Sequence, residues 1–342
     1  MSQEESLNIK GFEFRGLHPC VFMGTASDRY AGWIGQIYSK DRYAHRTSHR
    51  QKVVGGTSFT EEVLPVESVG EYFTHFRVLE LDFTFYRPLL DEAGKPTQNY
   101  HTLRTYSQYV GKNDRLILKV PQAVCAQKLR RGGKFIENST YLNPKLFTHQ
   151  FYTPAVELLG STISGFVFEQ EYQRSQDRVP LEKLTVQLDE FFQAIPKDDR
   201  YHLELRTESL LAQPLFAVME KNGIGQVLSH WTWLPSLGRQ FSKSQERFLN
   251  AGRQCVLRLL TPRGMRYEDA YAKAHPFDRL VEGMLDLKMI EETADLMWKA
   301  VDQKAHINVI VNNRAGGNAP IISQHIAERF LNAGRKVPSS TP

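Results

Sequence analysis

Short apolar runs alternate along the chain with longer amphipathic segments. Runs of this length are typical of strands that are buried on both faces, and apolar residues at helical spacing are typical of helices packed on one side. The apolar runs predict eight strands at Cys20 to Thr25, Phe76 to Asp82, Arg115 to Val120, Ile163 to Glu169, Tyr201 to Arg206, Gln226 to Ser229, Cys255 to Leu260 and Ile307 to Asn312. The amphipathic segments predict helices at Leu181 to Ala194, Leu210 to Asn222, Ser244 to Ala251 and Phe277 to Ala300.

This order of elements, strand followed by helix, predicts an α/β protein. The connections are long enough to join parallel strands, and a closed (β/α)8 TIM-like barrel leaves no strand edge exposed. A doubly wound open sheet is the alternative. No Gly-x-Gly-x-x-Gly sequence follows the first strand, so the sequence does not indicate a dinucleotide-binding version of that sheet.

The stretch from Arg77 to Pro88 places acids inside a run that is otherwise apolar from Val78 to Leu81. Side chains alternate across a strand, so Glu80, Asp82 and Thr84 are predicted to share one face. Unpaired charge is costly to bury, which indicates a functional site at this position. The alternative is that the acids lie just past the end of the strand and are solvated.

Composition limits the class of protein. The chain has 342 residues, of which 41% are hydrophobic and 24% are charged, as in ordinary globular proteins. No apolar run approaches the roughly 18 residues that a membrane span needs. The acidic start of the chain lacks the features of a secretory signal, so we expect a cytoplasmic protein without a membrane partner. Cys20, Cys125 and Cys255 form no Cys-x-x-Cys pair, which argues against a disulfide framework and a cysteine-built metal site.

The length is compatible with a single domain. We expect one barrel over residues 19–335, an N-terminal extension over residues 1–18 and a disordered tail at residues 336–342. The loops at about 27–69 and 121–154 are longer than a compact barrel needs. Long loops at these positions are expected to wall the mouth of the barrel.

Positive charge is concentrated in a few segments, although the net charge of the whole chain is only +5. Basic residues alternate with aromatic residues between Arg29 and Lys52, a second basic group runs from Lys128 to Lys134, and Arg263 and Arg266 precede Tyr267. Cations mixed with aromatic rings are typical of surfaces that bind nucleic acid. The alternative is that these are solvated loops whose aromatic residues are anchored in the core.

The block from Glu80 to Tyr86 and the Asn312-Asn313 pair are the strongest of several sequence motifs that run from about Pro19 to Leu331. Together these motifs resemble the YecE-like family, also called domain of unknown function 72. The resemblance implies a TIM barrel related in shape to the xylose-isomerase and apurinic-endonuclease barrels, and it implies no established reaction. This chain departs from the family pattern at positions where the family has Asn, His, Trp and His-Gly; here these are Asp82, Thr207, Leu210 and Leu260-Thr261.

A TIM-like barrel would bring polar residues from distant strands together, because its functional sites lie at the carboxyl ends of the strands. The candidate catalytic residues are Glu80, Asp82, Lys119, Glu169, Glu204 and Arg206. The candidate ligand-binding residues are Thr25, Tyr86, Arg258, Asn312, Asn313, Arg314 and Gly316. The alternative is a polar plug of ion pairs that satisfy one another.

Three functions are compatible with these residues. The first is the binding or conversion of a phosphate-containing ligand such as nucleic acid, with Arg258, Arg314 and the Gly316 loop at the start of a helix as the anion site. The second is a non-enzymatic nucleic-acid-binding module that uses the basic aromatic loops. The third is a metal-dependent hydrolase or isomerase, and Glu169 with Glu204 is also a candidate pair for glycoside hydrolysis. The sequence indicates no metal ligands, and it leaves the cofactor, the reaction and the oligomeric state open.

Overall fold

A computed structural model describes residues 10–334. Residues 1–9, which are the first half of the predicted N-terminal extension, and the predicted tail at residues 336–342 lie outside the described residues. The strands are β1 (Val21–Ala26), β2 (Ser48–Val54), β3 (Thr57–Val63), β4 (Val78–Leu81), β5 (Arg115–Lys119), β6 (Lys128–Arg131), β7 (Lys134–Glu137), β8 (Ile163–Gln170), β9 (Tyr201–Leu205), β10 (Gly225–His230), β11 (Gln254–Leu259) and β12 (His306–Val311).

Eight of these strands close into a barrel in the order β1, β12, β11, β10, β9, β8, β5 and β4. All neighbours in the barrel are parallel, and β1 pairs with both β4 and β12, which closes the ring. The predicted (β/α)8 barrel is therefore confirmed and the open sheet is excluded. Each predicted strand is present, with ends that differ by at most two residues.

The helices surround the barrel. They are α1 (Lys40–Tyr43), α2 (Val69–His75), α3 (Gln98–Ser107), α4 (Gln122–Cys125), α5 (Pro144–Leu146), α6 (Thr153–Leu159), α7 (Leu181–Ala194), α8 (Gln213–Asn222), α9 (Leu237–Lys243), α10 (Tyr267–Ala274), α11 (Leu287–Asp302) and α12 (Ala319–Gly334). Helix α7 has the predicted bounds. Helix α8 ends at Gly223, which adopts the left-handed conformation that the Asn-Gly pair indicates.

Two helix predictions are wrong. The predicted helix from Ser244 to Ala251 is irregular, because Gln245 and Glu246 both adopt positive φ angles; the helix lies earlier, at α9. The predicted helix from Phe277 begins only at Leu287, where the Asp286 side chain accepts backbone N–H bonds and caps α11.

The core consists of two layers on either side of the barrel wall. One set of alternating strand residues forms a small apolar cluster that includes Val78, Ile117, Val167 and Val256. The other set packs against the helices in a much larger cluster. The charged candidates Glu80, Lys119, Glu169 and Arg258 each lie two residues beyond a member of the small cluster, and they therefore form the next layer on the same face.

Both long loops contain a β-hairpin. Strands β2 and β3 pair in the loop after β1, and β6 and β7 pair in the loop after β5. The first hairpin packs against α10, where Phe59 contacts Tyr271. Within residues 10–334 the structure contains no helix that is both long enough and apolar enough to cross a membrane.

Candidate functional site

The barrel brings six of the predicted site residues into one buried charge cluster at the mouth. Three acids and three bases contribute equal and opposite charge, and they come from five strands and the residue that follows β9. The charge cluster consists of Glu80, Glu169, Glu204, Lys119, Arg206 and Arg258.

Arg258 lies at the centre of the charge cluster. Its Nη2 atom is 2.7 Å from Oε1 of Glu80, and its Nη1 atom bonds to Glu204 and lies 3.8 Å from Glu169. The side chains of Glu80 and Glu204 are fully buried, and Arg258 is 3% exposed. The Ser229 hydroxyl donates a further hydrogen bond to Glu204. One guanidinium therefore neutralises carboxylates from two distant strands.

Lys119 and Arg206 complete the charge cluster on the side of β5, β8 and β9. The Lys119 ammonium is 2.6 Å from one oxygen of Glu169, and Arg206 Nη1 is 2.7 Å from the other. Arg206 also reaches Glu204 at 3.3 Å. Both cations contact aromatic faces. Lys119 lies 3.9 Å from the centre of the Phe85 ring, and Arg206 lies 5.1 Å from the centre of the Trp231 ring.

These contacts determine the protonation of the acids. Burial alone would raise the pKa of Glu204, but the charges of Arg206 and Arg258 outweigh it and hold that pKa well below its ordinary value. Arg206 and Lys119 outweigh burial in the same way at Glu169, whose pKa is also lowered. A glycosidase needs one carboxylic acid that is protonated near neutral pH, so this pair does not have the properties of a general acid and its partner.

The charge cluster is also poorly suited to hold a metal ion, because each carboxylate already has a cation beside it. In the part of the chain that the structure describes, no group of three or more His, Cys, Asp or Glu side chains is arranged to hold a metal ion. The arrangement resembles the alternative interpretation of the sequence, a polar plug of ion pairs, although Glu80 Oε2 and the Nε atoms of Arg206 and Arg258 have no hydrogen-bond partner among residues 10–334.

The prediction that Glu80, Asp82 and Thr84 share one face is wrong. Strand β4 ends at Leu81, and residues Asp82–Phe85 form a 3-10 turn. Asp82 accepts a hydrogen bond from the Ser27 hydroxyl at 2.8 Å and takes no part in the charge cluster. Thr84 is buried and donates to the Lys119 carbonyl, so it ties the turn to β5.

Four of the predicted ligand-binding residues have structural roles, because they are buried or hydrogen-bonded within the protein. Thr25 bonds to the buried Tyr72 hydroxyl. Asn312 Oδ1 accepts the N–H of residue 314, and Asn313 Oδ1 accepts the indole N–H of Trp33 and the N–H of Ala319. Gly316 is buried, and the first N–H groups of α12 are bonded to Asn313 and Asn318. These N–H groups are therefore not directed at an anion, contrary to what the glycine pattern predicted.

Tyr86 and Arg314 remain accessible at the edge of the mouth. Tyr86 is 68% exposed. The Arg314 guanidinium lies 4.4 Å from the centre of the Tyr267 ring and forms no ion pair with any residue from 10 to 334.

Sequence reasoning missed two titratable residues next to the mouth. Burial raises the pKa of Asp28, which follows β1, to about 6, although the Tyr106 hydroxyl donates to it at 2.8 Å. Burial also raises the pKa of Glu171 to about 7, and this carboxylate accepts N–H bonds from Gln127 and Lys128. The position of each just after a strand was the available signal, but the extent of burial depends on loops distant in sequence.

Sequence reasoning also missed an exposed aromatic pair on the loops after β8 and β10. The rings of Tyr172 and Trp233 stack with centroids 5.3 Å apart and an interplanar angle of 24°. Tyr172 is 39% exposed and Trp233 is 46% exposed. Trp231 lies edge-on to Tyr172 and under the Arg206 guanidinium, so it connects this pair to the charge cluster.

Basic side chains surround the aromatic pair. A concavity of about 490 Å³ on one side of Trp233 contains two cations, and a concavity of about 520 Å³ on the other side contains three. None of the five forms an ion pair with a residue that the structure describes, and Glu208 is the one acid that lines either concavity. We name this surface the Trp233 rim; it consists of Tyr172, Trp233, Arg178, Lys243, Arg239, Arg263 and Lys288.

The basic aromatic loop after β1 does not form the surface of exposed rings and free cations that would bind nucleic acid. Trp33, Tyr38 and Tyr43 are buried and cannot stack on a ligand. Arg50 and Lys52 both pair with Glu61 across the β2–β3 hairpin. The buried aromatic residues in this loop are core anchors, and its cations Arg46, Arg50 and Lys52 are paired with acids.

Comparison with known proteins identifies the family. A family described as protein of unknown function DUF72 matches residues 22–342. The chain belongs to the DUF72 family. No curated protein matches the sequence.

Two solved DUF72 structures resemble the barrel. A DUF72 family protein from Enterococcus faecalis V583 is 14% identical with a TM-score of 0.53, and the match covers 91% of this chain and 95% of that one. A DUF72 family protein from Thermotoga maritima MSB8 is 16% identical with a TM-score of 0.53, and the match covers 92% of this chain and 99% of that one. At this level of identity the likeness concerns the fold.

Proposed function

We propose that this DUF72 protein binds single-stranded nucleic acid at the Trp233 rim. The observation that carries the proposal is the exposed, stacked pair of Tyr172 and Trp233 between cations that have no acidic partner. Surfaces that bind single strands combine aromatic rings, on which bases stack, with cations that follow the phosphates. Paired bases in a duplex do not offer their faces to such rings, so the aromatic pair favours a single strand.

The geometry of the loop supports a binding role for Trp233. Its neighbours Leu234 and Pro235 are buried, and the Thr232 hydroxyl bonds to the Met265 carbonyl. The backbone of the loop is therefore fixed while the indole ring is exposed. An exposed large aromatic ring on an anchored loop is already oriented for a ligand and loses little conformational freedom on binding.

The net charge of the buried charge cluster is also compatible with this proposal. Its acids are neutralised by Lys119, Arg206 and Arg258, so the floor of the mouth carries little net negative charge that would repel phosphates. Arg314, which follows β12, provides another cation at the mouth that forms no ion pair with any residue from 10 to 334. A strand that lies across the rim would thus meet a neutral floor and positive edges.

Replacing Trp233 with alanine is expected to weaken binding of a short single-stranded oligonucleotide by about tenfold or more, because stacking on one ring contributes about 1–3 kcal/mol. Fluorescence anisotropy of a labelled strand measures the dissociation constant. Tyr109→Ala is the matched control, since Tyr109 is 43% exposed but precedes β5 at the opposite end of the barrel. Equal effects of the two variants would contradict the proposal.

Binding to the rim is also expected to weaken steeply with added salt, with a slope of about −0.7 in log affinity against log salt for each phosphate neutralised. Replacing Lys243 and Arg178 together with glutamine should reduce that slope. An affinity that is independent of salt would rule out a nucleic acid as the ligand.

A further inference from the structure

The two concavities beside Trp233 differ in charge. On the side of Tyr172, Arg178 and Lys243 are the cations. On the other side, Arg239 from α9, Lys288 from α11 and Arg263 from the loop after β11 line one concavity. Three separate elements therefore direct positive charge into the same space.

The size of the three-cation concavity is informative. Its volume of about 520 Å³ lies within the range of small-molecule sites, roughly 300–1,000 Å³, and it is closed on one side by the Trp233 ring. A single nucleotide has a flat base for this ring and a phosphate for the cations. A phosphodiester inside a strand carries one negative charge, whereas a terminal phosphate monoester carries about −1.5 to −2 and presents three acceptor oxygens. Three cations match the monoester better.

We infer that the concavity lined by Arg239, Arg263 and Lys288 binds the phosphorylated terminal nucleotide of a single strand, with the base against Trp233. This inference rests on the proposed function and specifies which part of the strand the rim recognises. Glu208 faces the same concavity and opposes the phosphate, so its charge reduces the preference for a phosphorylated end.

The experiment compares one oligonucleotide sequence in three forms: with hydroxyl groups at both ends, with a 5′-phosphate and with a 3′-phosphate. The fluorophore is attached in the middle of the strand, and anisotropy gives each dissociation constant. We expect one of the phosphorylated forms to bind the wild-type protein about tenfold or more tightly than the hydroxyl form. Glu208→Gln should enlarge this ratio.

The variant Arg263→Gln should reduce the phosphate preference by about threefold or more, and the pair Arg263→Gln with Lys288→Gln should abolish it. All three cations are exposed and unpaired within residues 10–334, so folding is expected to survive the changes. Arg253→Gln is the matched control, because Arg253 is also exposed and unpaired but precedes β11 at the opposite end of the barrel.

The outcomes separate the two proposals. Strands that all bind with the same affinity would overturn the terminal-phosphate site and leave single-strand binding intact. A phosphate preference that persists in the Arg263 and Lys288 double variant would place the phosphate elsewhere and also overturn the site. Failure of every strand to bind would overturn both proposals.

Discussion

Replacing Arg258 with methionine is expected to lower the free energy of unfolding by about 3–5 kcal/mol, a large part of the stability of an ordinary domain. Arg258 is the shared partner of Glu80 and Glu204, and neither of these carboxylates is exposed to water. Methionine replaces much of the side-chain volume but none of the charge. The variant therefore leaves the buried Glu80 carboxylate without its cation and Glu204 with Arg206 alone, and uncompensated buried charge is costly. Urea denaturation at about pH 7 measures the loss.

Two further variants test whether the loss of stability comes from uncompensated buried charge. Lys299→Met breaks an ion pair with Glu246 in which both side chains are at least 40% exposed, and it should cost less than about 1 kcal/mol. Combining Arg258→Met with Glu80→Gln restores equal numbers of acids and bases in the charge cluster, because Glu204 keeps Arg206 and Glu169 keeps Lys119, and it should recover part of the lost stability. A loss below about 1 kcal/mol for Arg258→Met itself would show that the charge cluster does not stabilise the barrel mouth.

Replacing Asp28 with asparagine is expected to change how stability depends on pH. Asp28 is 1% exposed, and burial raises its pKa from 3.8 to about 6 in the folded protein. The folded state thus binds the proton more tightly than the unfolded state. The stabilisation from this proton is fully present below about pH 4 and is lost as the pH rises through 6. The shift corresponds to about 3 kcal/mol.

Asparagine carries no charge at any of these pH values. The free energy of unfolding of the variant, relative to that of the wild type, should therefore increase by about 2–3 kcal/mol as the pH rises from 4 to 7. Any cost of the amide group itself is independent of pH and cancels in this comparison. Tyr106→Phe should have the opposite effect, because it removes the hydrogen bond that lowers the pKa of Asp28. Urea midpoints across this pH range measure the profiles, and parallel profiles for Asp28→Asn and the wild type would contradict the prediction.

The stability prediction and the binding proposal concern different layers of the same mouth. In the charge cluster, three acids and three bases neutralise one another, so each carboxylate already has a cation beside it. The Trp233 rim lies above it, and its aromatic pair is exposed while its cations are unpaired. Binding energy for a ligand comes from groups that are not already satisfied within the protein. We therefore expect rim variants to alter affinity and charge-cluster variants to alter stability.

The positions of the charge cluster were predictable from the sequence, and its pairing was not. Glu80, Glu204 and Arg258 were recognised because each ends an apolar strand, and a closed barrel gathers such ends. The bond between Arg258 and Glu80 joins residues that are 178 positions apart. The local sequence pattern does not show which residues pair, so only the tertiary structure distinguishes a group of free catalytic side chains from a plug of ion pairs.

The Trp233 rim escaped prediction for a related reason. Tyr172 and Trp233 follow different strands, and their stacking depends on loops that are distant in sequence. That earlier loop had the expected composition, but its Trp33 and Tyr43 are buried. Composition shows which groups are present in a segment and does not show which of them face water.

The sequence by itself determined the barrel, because alternating burial and the order of strands and helices are properties of consecutive residues. It also determined which polar residues end the strands. The tertiary structure alone decided which charges neutralise one another, which helix N–H groups are already bonded and which rings remain exposed. These features depend on contacts between segments far apart in the chain, and in a buried site such contacts control both charge and access.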